Sequence, residues 1–182
     1  MWESKFAKEG LTFDDVLLVP QYSDIESRQE VNLTNRLGKN IFSLPIISSP
    51  MDTVTGVDMA NAMNLMGGLG IVHRYNTIAE QVEMVRGAAG LVGAAIGVTG
   101  DFEERSEALY DAGARVLCVD VAHGHHILMK RALKSLKDIY GKDVHLMAGN
   151  VATLEAFNDL ADWGADSIRC NIGGGSICTK RI

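Results

Sequence analysis

After a polar leading segment, short apolar runs alternate along this chain with longer amphipathic stretches. A near-continuous apolar run is typical of a buried parallel strand, and an amphipathic stretch of good helix formers predicts a helix packed on a sheet. The alternation therefore predicts repeated βα units. Six strands are predicted, at 45–49, 68–73, 91–97, 116–121, 144–149 and 167–172. Five helices are predicted between them, at 57–66, 78–88, 101–113, 127–141 and 153–165.

Polar residues that could carry chemistry follow nearly every predicted strand, as in a barrel whose active site lies at the carboxyl ends of its strands. An open doubly wound sheet could also use six strands. We favour an α/β fold of the (β/α)8 TIM barrel type, of which about the first six βα units are present. Residues 1–182 are then expected to form the N-terminal part of one catalytic domain, incomplete as a barrel.

Composition and charge narrow the possible functions. The chain is 47% hydrophobic and 22% charged, with a formal net charge of -6, so we expect no nucleic-acid partner. It has no apolar leader and no run long enough to span a bilayer, which predicts a cytoplasmic protein without a membrane partner. Its three cysteines have no paired spacing, so neither a disulfide framework nor a zinc site is indicated.

The strongest chemical signal is the segment IGGGSICTKR at 172–181. Consecutive glycines allow backbone N–H groups to surround an anion, and Ser176 adds a hydroxyl donor, as in phosphate-binding loops. Cys178 follows, and Lys180 and Arg181 beyond it carry positive charges that would lower a thiol pKa and favour a nucleophilic thiolate. The alternative is a flexible glycine-rich loop with an incidental cysteine. Cys118 and Cys170 fall within predicted strands, and we expect both to be buried and structural.

Two further clusters follow predicted strands. SSPMDTVT, at 48–55, could shape a substrate wall, or Ser49 or Asp52 could cap the next helix. VDVAHGHH, at 119–126, places Asp120 at a strand end, where a carboxylate could hold a ribose hydroxyl. Its three histidines suggest a metal, but no carboxylate or cysteine at a suitable spacing completes a ligand set, so we do not predict one.

The segment AGNVAT, at 148–153, ends the fifth predicted strand. Asn150 there offers a donor and an acceptor suited to an amide or a ribose, and Thr153 is expected to cap the following helix. Asn150 could equally belong to a capping turn alone. His73 closes the second predicted strand, and we favour packing or a local hydrogen bond over catalysis for it. His145 opens a strand and is expected to have no special role.

Taken together, these segments resemble the catalytic barrel of the IMP dehydrogenase and GMP reductase family. The resemblance runs over nearly the whole chain, through LTFDDVLLVPQYS, SSPMDTVT, GGLGIVHR, VGAAIGV, VDVAHGH, AGNVAT and GGGSICTKRI in the family's order. It implies that Cys178 adds to C2 of a purine nucleotide, that hydride passes to or from a nicotinamide cofactor, and that the intermediate is a covalent thioimidate.

The same resemblance implies roles for other residues. Ser176 would contact the nucleotide phosphate, and Ser49 and Met51 would line the nucleotide site. Residues near the dinucleotide would be Asp120, Asn150 and Arg169. The backbone carbonyls of Gly173, Gly175 and Cys178 would hold a monovalent cation, K+. Lys180 stands where the family has a threonine implicated in its chemistry, which puts turnover in doubt.

The resemblance favours one branch of the family. SSPMDTVT and GGLGIVHR are closer to IMP dehydrogenases, which oxidise IMP to XMP with NAD, than to GMP reductases, which convert GMP to IMP and ammonia with NADPH. Only about 18 residues separate His73 from Leu91, where many IMP dehydrogenases carry a pair of regulatory CBS modules, so no CBS domain is expected.

Two alternatives remain beside the dehydrogenase. One is a GMP reductase acting through the same cysteine. The other is a non-catalytic nucleotide-binding or assembly piece, because the strands and the mobile flap that follow the cysteine loop in the family are lacking here. The resemblance further implies a homo-oligomer, a tetramer in most members, or a second chain that completes the barrel.

Overall fold

A computed structural model describes residues 15–173. The chain divides into two compact units, one of residues 33–171 and the other of residues 1–32 together with 172–182. In the second unit the described part contains a 3₁₀ turn, Arg28–Glu30, where the Ser27 side chain accepts a hydrogen bond from the Gln29 N–H. None of the helices described between residues 15 and 173 is long and apolar enough to cross a membrane.

The unit of residues 33–171 is built on a six-stranded parallel sheet with the strands in strictly sequential order. A doubly wound sheet would reverse its strand order at a switch point, so this order identifies consecutive units of a (β/α) barrel. The strands are β3 (Ile47–Ser48), β4 (Leu69–Val72), β5 (Val92–Ile96), β6 (Val116–Asp120), β7 (His145–Val151) and β8 (Ser167–Cys170). The helices are α1 (Val57–Leu65), α2 (Ile78–Gly87), α3 (Phe102–Asp111), α4 (Ile127–Tyr140) and α5 (Leu154–Asp162). All six predicted strands and all five predicted helices are confirmed.

The sheet is curled. This is evident from a cavity that side chains of both edge strands line. Ile47 of β3 and Arg169 of β8 both border a cavity of about 230 Å³. Apolar side chains of alternate positions face this concave side, among them Ile71 and Met147, while the other positions pack against the helices. The fold is therefore α/β and corresponds to a partial TIM barrel, with an inner and an outer core layer.

The helix ends follow local sequence signals. Gly113 and Gly164 lie just beyond α3 and α5 with φ of 112° and 109°, values that an L side chain rarely adopts, and their N–H groups bond back to the last helical turn. Thr153 caps α5 by accepting a hydrogen bond from the Ala156 N–H at 3.2 Å, as predicted. Thr77 and Glu80 form a capping box at the start of α2, which the sequence analysis had not identified.

A β-hairpin, β1 (Asn35–Leu37) and β2 (Asn40–Phe42), precedes the parallel sheet and was not predicted. Its two-residue loop begins at Gly38, whose φ of 61° matches the positive value that such loops require. Each strand has only three residues and half of the six are polar, so neither forms the longer apolar run on which the strand prediction depended. Leu37 and Phe42 nevertheless pack on the inner core layer of the sheet.

Candidate functional site at the carboxyl ends of the strands

An ion pair crosses the concave face at the carboxyl end of the sheet. Asp120 is the last residue of β6, and Arg169 lies on β8, two strands away. Arg169 Nη1 donates to Asp120 Oδ1 at 2.5 Å, and both side chains are largely shielded from solvent. Gly149 of β7 lies between them in the register of the sheet. A Cβ atom at position 149 would lie 2.7 Å from Arg169 Cβ, so a glycine leaves the space that Arg169 needs to reach Asp120.

A buried thiol lies beneath this pair. Cys118, two residues before Asp120 on β6, is fully buried, and its Sγ lies 3.6 Å from Arg169 Nη1. Burial raises the pKa of Cys118 to about 11, so at neutral pH it is a protonated, unreactive thiol, as the structural role predicted for it requires. Burial alone would lower the pKa of Arg169, but Cys118 and Asp120 outweigh it and raise that pKa, so the guanidinium remains charged.

Asn150 lies beside the ion pair and is fixed by its backbone. Its N–H donates to the Val121 carbonyl at 2.8 Å, and its own carbonyl accepts from the Gly124 N–H at 2.8 Å. These bonds join the end of β7 to the loop that follows Asp120. The side-chain Oδ1 is buried and has no hydrogen-bond partner, although buried polar atoms nearly always have one. A ligand with a hydroxyl or amide donor would satisfy it.

The Thr55 hydroxyl holds the loop after β3 in place, and no side chain of this loop caps the helix that follows. Thr55 is fully buried, and its Oγ1 donates to the Ser49 carbonyl at 2.5 Å and lies 3.0 Å from Ser48 Oγ. The alternative that Ser49 or Asp52 caps α1 is wrong, because Gly56 occupies the N-cap position and no side chain caps it. A turn in which the Val54 and Thr55 N–H groups bond to the Met51 carbonyl contains Asp52 and lies between Ser49 and the helix.

The two substrate-site residues predicted on this loop lie in different surroundings. Ser49 borders the same cavity as Arg169, so the fold brings it to the concave side near the ion pair. Met51 is half exposed and is not among the residues that line this cavity.

Two of the three histidines after β6 have partners of their own. His126 caps α4, with Nδ1 accepting from the Leu128 N–H at 3.1 Å. His125 Nε2 lies 2.8 Å from Asp159 Oδ2, and its ring stacks on Trp163 with 5.8 Å between centroids. Within residues 15–173 no group of three or more His, Cys, Asp or Glu side chains is arranged to hold a metal ion.

His73 and His145 are buried and hydrogen-bonded, whereas Cys170 is exposed. His73 is buried and accepts a hydrogen bond from the Tyr75 N–H at 3.3 Å, the local role predicted for it. His145 opens β7 and is buried, with Nε2 2.8 Å from Ser167 Oγ. The expectation that Cys170 is buried is wrong, since it is exposed on an edge strand of the sheet.

Part of the predicted site lies outside the described residues. Cys178, Ser176 and Gly175 fall in the segment 174–182. Gly173 is the last described residue and has φ of 62°.

Sequence reasoning did not identify Thr55, Gly149 or Arg74 as site residues, although each borders this end of the sheet. Thr55 and Gly149 lie inside quoted motifs, but their roles depend on contacts across the fold. Arg74 follows β4, and its guanidinium reaches the Asp120 carbonyl at 3.3 Å. A charged residue directly after a buried strand was the one signal that could have identified it.

A curled parallel sheet with polar side chains at its carboxyl ends defines the class of (β/α)-barrel proteins whose sites are built on strand ends. The family model described as IMP dehydrogenase / GMP reductase domain matches residues 10–182. The chain belongs to this family.

Individual relatives agree with that assignment. A crystal structure of inosine 5′-monophosphate dehydrogenase from Legionella pneumophila is 47% identical, with a TM-score of 0.86, and the match covers 95% of this chain and 54% of that one. The inosine-5′-monophosphate dehydrogenase of Cryptosporidium parvum is 37% identical over 96% of this chain and 54% of its own length. That of Nitrosopumilus maritimus is 30% identical over 96% of this chain and 63% of its own.

The relatives are longer than this chain. It spans between 54% and 64% of the length of the first four curated relatives that it matches. The alignment with the Nitrosopumilus enzyme runs over 303 residues, more than the 182 of this chain, so that enzyme contains residues inside the matched region that this chain lacks.

Proposed function

We propose that this chain contributes the nucleophile and the first six βα units of an IMP dehydrogenase, which oxidises IMP to XMP. The observation that carries the proposal is the Asp120–Arg169 pair at the carboxyl ends of a family barrel, with an unsatisfied Oδ1 on Asn150, the residue after Gly149. These are the positions at which the resemblance implies cofactor contacts. The relatives named above are all inosine-5′-monophosphate dehydrogenases, which favours this activity over GMP reduction.

The covalent step would belong to Cys178. Its thiolate adds to C2 of IMP, the hydride at C2 leaves with its electron pair, and water then cleaves the thioimidate to release XMP and the thiol. Ser176 is proposed to hold the nucleotide phosphate, and Ser49 and Met51 to line the nucleotide site. The Thr55 hydroxyl would keep the Ser49 loop in place through the bonds described above.

The described residues fit a dinucleotide. Asn150 Oδ1 needs a donor, and the Asp120 carboxylate retains lone pairs beyond the one used by Arg169, so ribose hydroxyls or a carboxamide would satisfy both. NAD, when bound, supplies the acceptor for the hydride. Asp120, Asn150 and Arg169 would orient it, and the ion pair would keep Arg169 from moving across the site.

Other features of the proposal depend on the resemblance. K+ would be held by the carbonyls of Gly173, Gly175 and Cys178. We further propose one catalytic barrel domain without CBS modules, in a cytoplasmic homo-oligomer such as a tetramer, or with a second chain completing the barrel. The residues that the Nitrosopumilus enzyme has within the matched region are consistent with an inserted module that this chain lacks.

The first test is the intact mass of the purified chain, alone and after incubation with IMP and NAD. We expect a mass gain equal to a covalent nucleotide in the wild type and none in Cys178→Ala, with Cys170→Ala as the matched control that retains the adduct. An adduct formed from GMP with release of ammonia would favour the reductase. Failure of IMP to protect Cys178 from alkylation in a folded sample would favour a non-catalytic piece.

A further inference from the structure

Arg74 is a cation that the proposed chemistry does not use. It follows β4 directly after His73, and its side chain passes the end of β5, where Nη1 would lie 3.5 Å from a Cβ built on Gly97. Its Nη2 donates to the Asp120 backbone carbonyl at a long 3.3 Å. The Nε atom is buried and has no hydrogen-bond partner. The guanidinium therefore lies at the carboxyl end of the sheet with part of its donor capacity unused.

The charge of Arg74 is also unpaired. Among residues 15–173, no carboxylate oxygen lies within 4.0 Å of it, whereas Arg105 and Arg169, the other partly buried arginines of the barrel unit, have Asp101 and Asp120. The hydrogen bond between Asp101 and Arg105 is the main reason that the pKa of Asp101 is lowered. The charge of Arg74 lowers that pKa to a lesser extent. The Tyr75 ring, 5.5 Å away, is largely exposed and compensates little.

We propose that Arg74 binds a phosphate group of a nucleotide ligand at this site, an inference that rests on the proposed function. A partly buried guanidinium without a counter-ion is unfavourable, and an oxyanion supplies both the missing charge and an acceptor for Nε. Of the two carboxylates near Arg74, Asp120 is bonded to Arg169 and Asp101 to Arg105, so Arg74 adds an unbalanced positive charge at this end of the sheet. The planar donors of arginine suit phosphate oxygens better than a lysine would.

Two phosphates could occupy this position, the 5′-phosphate of IMP or the pyrophosphate of NAD. Calorimetric titration of the full chain with IMP, NAD and inorganic pyrophosphate, each alone, distinguishes them. The variants are Arg74→Gln, Arg74→Lys and the control Arg115→Gln. Arg115 also donates to carbonyls and lies over a tyrosine ring, but it precedes β6 at the opposite end of the sheet. Thermal melts verify that each variant is folded.

We expect Arg74→Gln to weaken binding of one nucleotide by about 10-fold or more, the size of a lost hydrogen bond to a charged group, and Arg74→Lys to weaken it less. The salt dependence of that ligand's affinity should fall as well. Arg115→Gln should bind like the wild type. Which nucleotide is affected identifies the phosphate. Equal affinities of the wild type and Arg74→Gln for both nucleotides would overturn the assignment while leaving the proposed function intact.

Binding of inorganic pyrophosphate distinguishes a failure of the Arg74 anion site from a failure of the proposed function. If the wild type binds neither nucleotide but binds inorganic pyrophosphate in an Arg74-dependent manner, the anion site stands and the proposed function fails. If pyrophosphate also fails to bind, or binds equally to Arg74→Gln, the anion site is refuted with it.

Discussion

The two ends of the parallel sheet differ in how completely their polar groups are satisfied. At the amino end, His145 bonds Ser167, and Arg115 donates to the Tyr110 and Ala114 carbonyls at 2.8 Å. Asp166 pairs with Lys137 and accepts from the Leu146 N–H. At the carboxyl end, atoms of Arg74, Asn76 and Asn150 are buried without partners.

From this difference we infer that the amino end of the sheet stabilises the fold and that the carboxyl end binds a ligand. Among the described residues, four buried side-chain atoms lack a partner, and only Asn64 Nδ2 of α1 lies away from the carboxyl end. Because buried polar groups are normally hydrogen-bonded, an end that leaves three of them unpaired is arranged for a ligand. The amino end, with the β1–β2 hairpin packed nearby, serves to hold the fold together.

The largest effect is expected from removing the carboxylate of the ion pair. Asp120→Ala would leave Arg169 partly buried without its counter-ion, and we expect the free energy of unfolding to fall by about 3 kcal/mol. Urea denaturation measures this. Glu83→Gln, which breaks the exposed Arg86–Glu83 pair, should cost less than about 0.5 kcal/mol. Similar losses in the two variants would mean that the carboxyl end is no more sensitive than the surface.

The next largest effect is expected from filling the space between Asp120 and Arg169. Gly149→Ala would place a Cβ 2.7 Å from Arg169 Cβ and 2.8 Å from its carbonyl oxygen, so β7 or β8 must shift. We expect a loss of about 2 kcal/mol in urea denaturation and, if the proposed function is correct, weaker NAD binding. Gly56→Ala is the control, since nothing lies within 4 Å of its Cβ. Unchanged stability in Gly149→Ala would contradict the role given to this glycine.

A smaller effect is expected in the loop after β3. Thr55→Val preserves shape but removes the hydroxyl that donates to the Ser49 carbonyl, which should cost about 1 kcal/mol. If the loop forms the nucleotide site, IMP affinity should fall at the same time, as measured by calorimetry. Thr53→Val, at an exposed position of the same loop, should change neither quantity. A loss of stability without a loss of IMP affinity would place the loop outside the site.

The smallest effect concerns the amino end and depends on pH. Burial lowers the pKa of His145 from 6.5, with Lys137 acting in the same direction and Asp166 opposing it. The folded state therefore disfavours the charged ring, so stability is complete above about pH 6.5 and declines as pH falls towards the folded pKa. Melting temperatures between about pH 8 and pH 5 should fall less steeply in His145→Gln. Parallel curves would show that His145 does not contribute.

Much of the architecture could be predicted from local patterns. The six strands were short β-branched or apolar runs, the five helices had good formers on an amphipathic period, and Thr153 was a recognisable cap. The hairpin was missed because its strands have only three residues each and polar residues interrupt them. Cys170 was placed in the core because it falls within a predicted strand, whereas its exposure follows from the strand's position at the sheet edge.

The sequence by itself determined the order of the βα units, the family and the positions at which polar residues end the strands, because periodicity, caps and motifs are short-range properties of the chain. The tertiary structure decided which of those residues meet. Arg169 reaches Asp120 across Gly149 only because the strands are in this register and the sheet curls. The unpaired charge of Arg74 likewise depends on the absence of a carboxylate within 4.0 Å among residues 15–173, which only folding fixes.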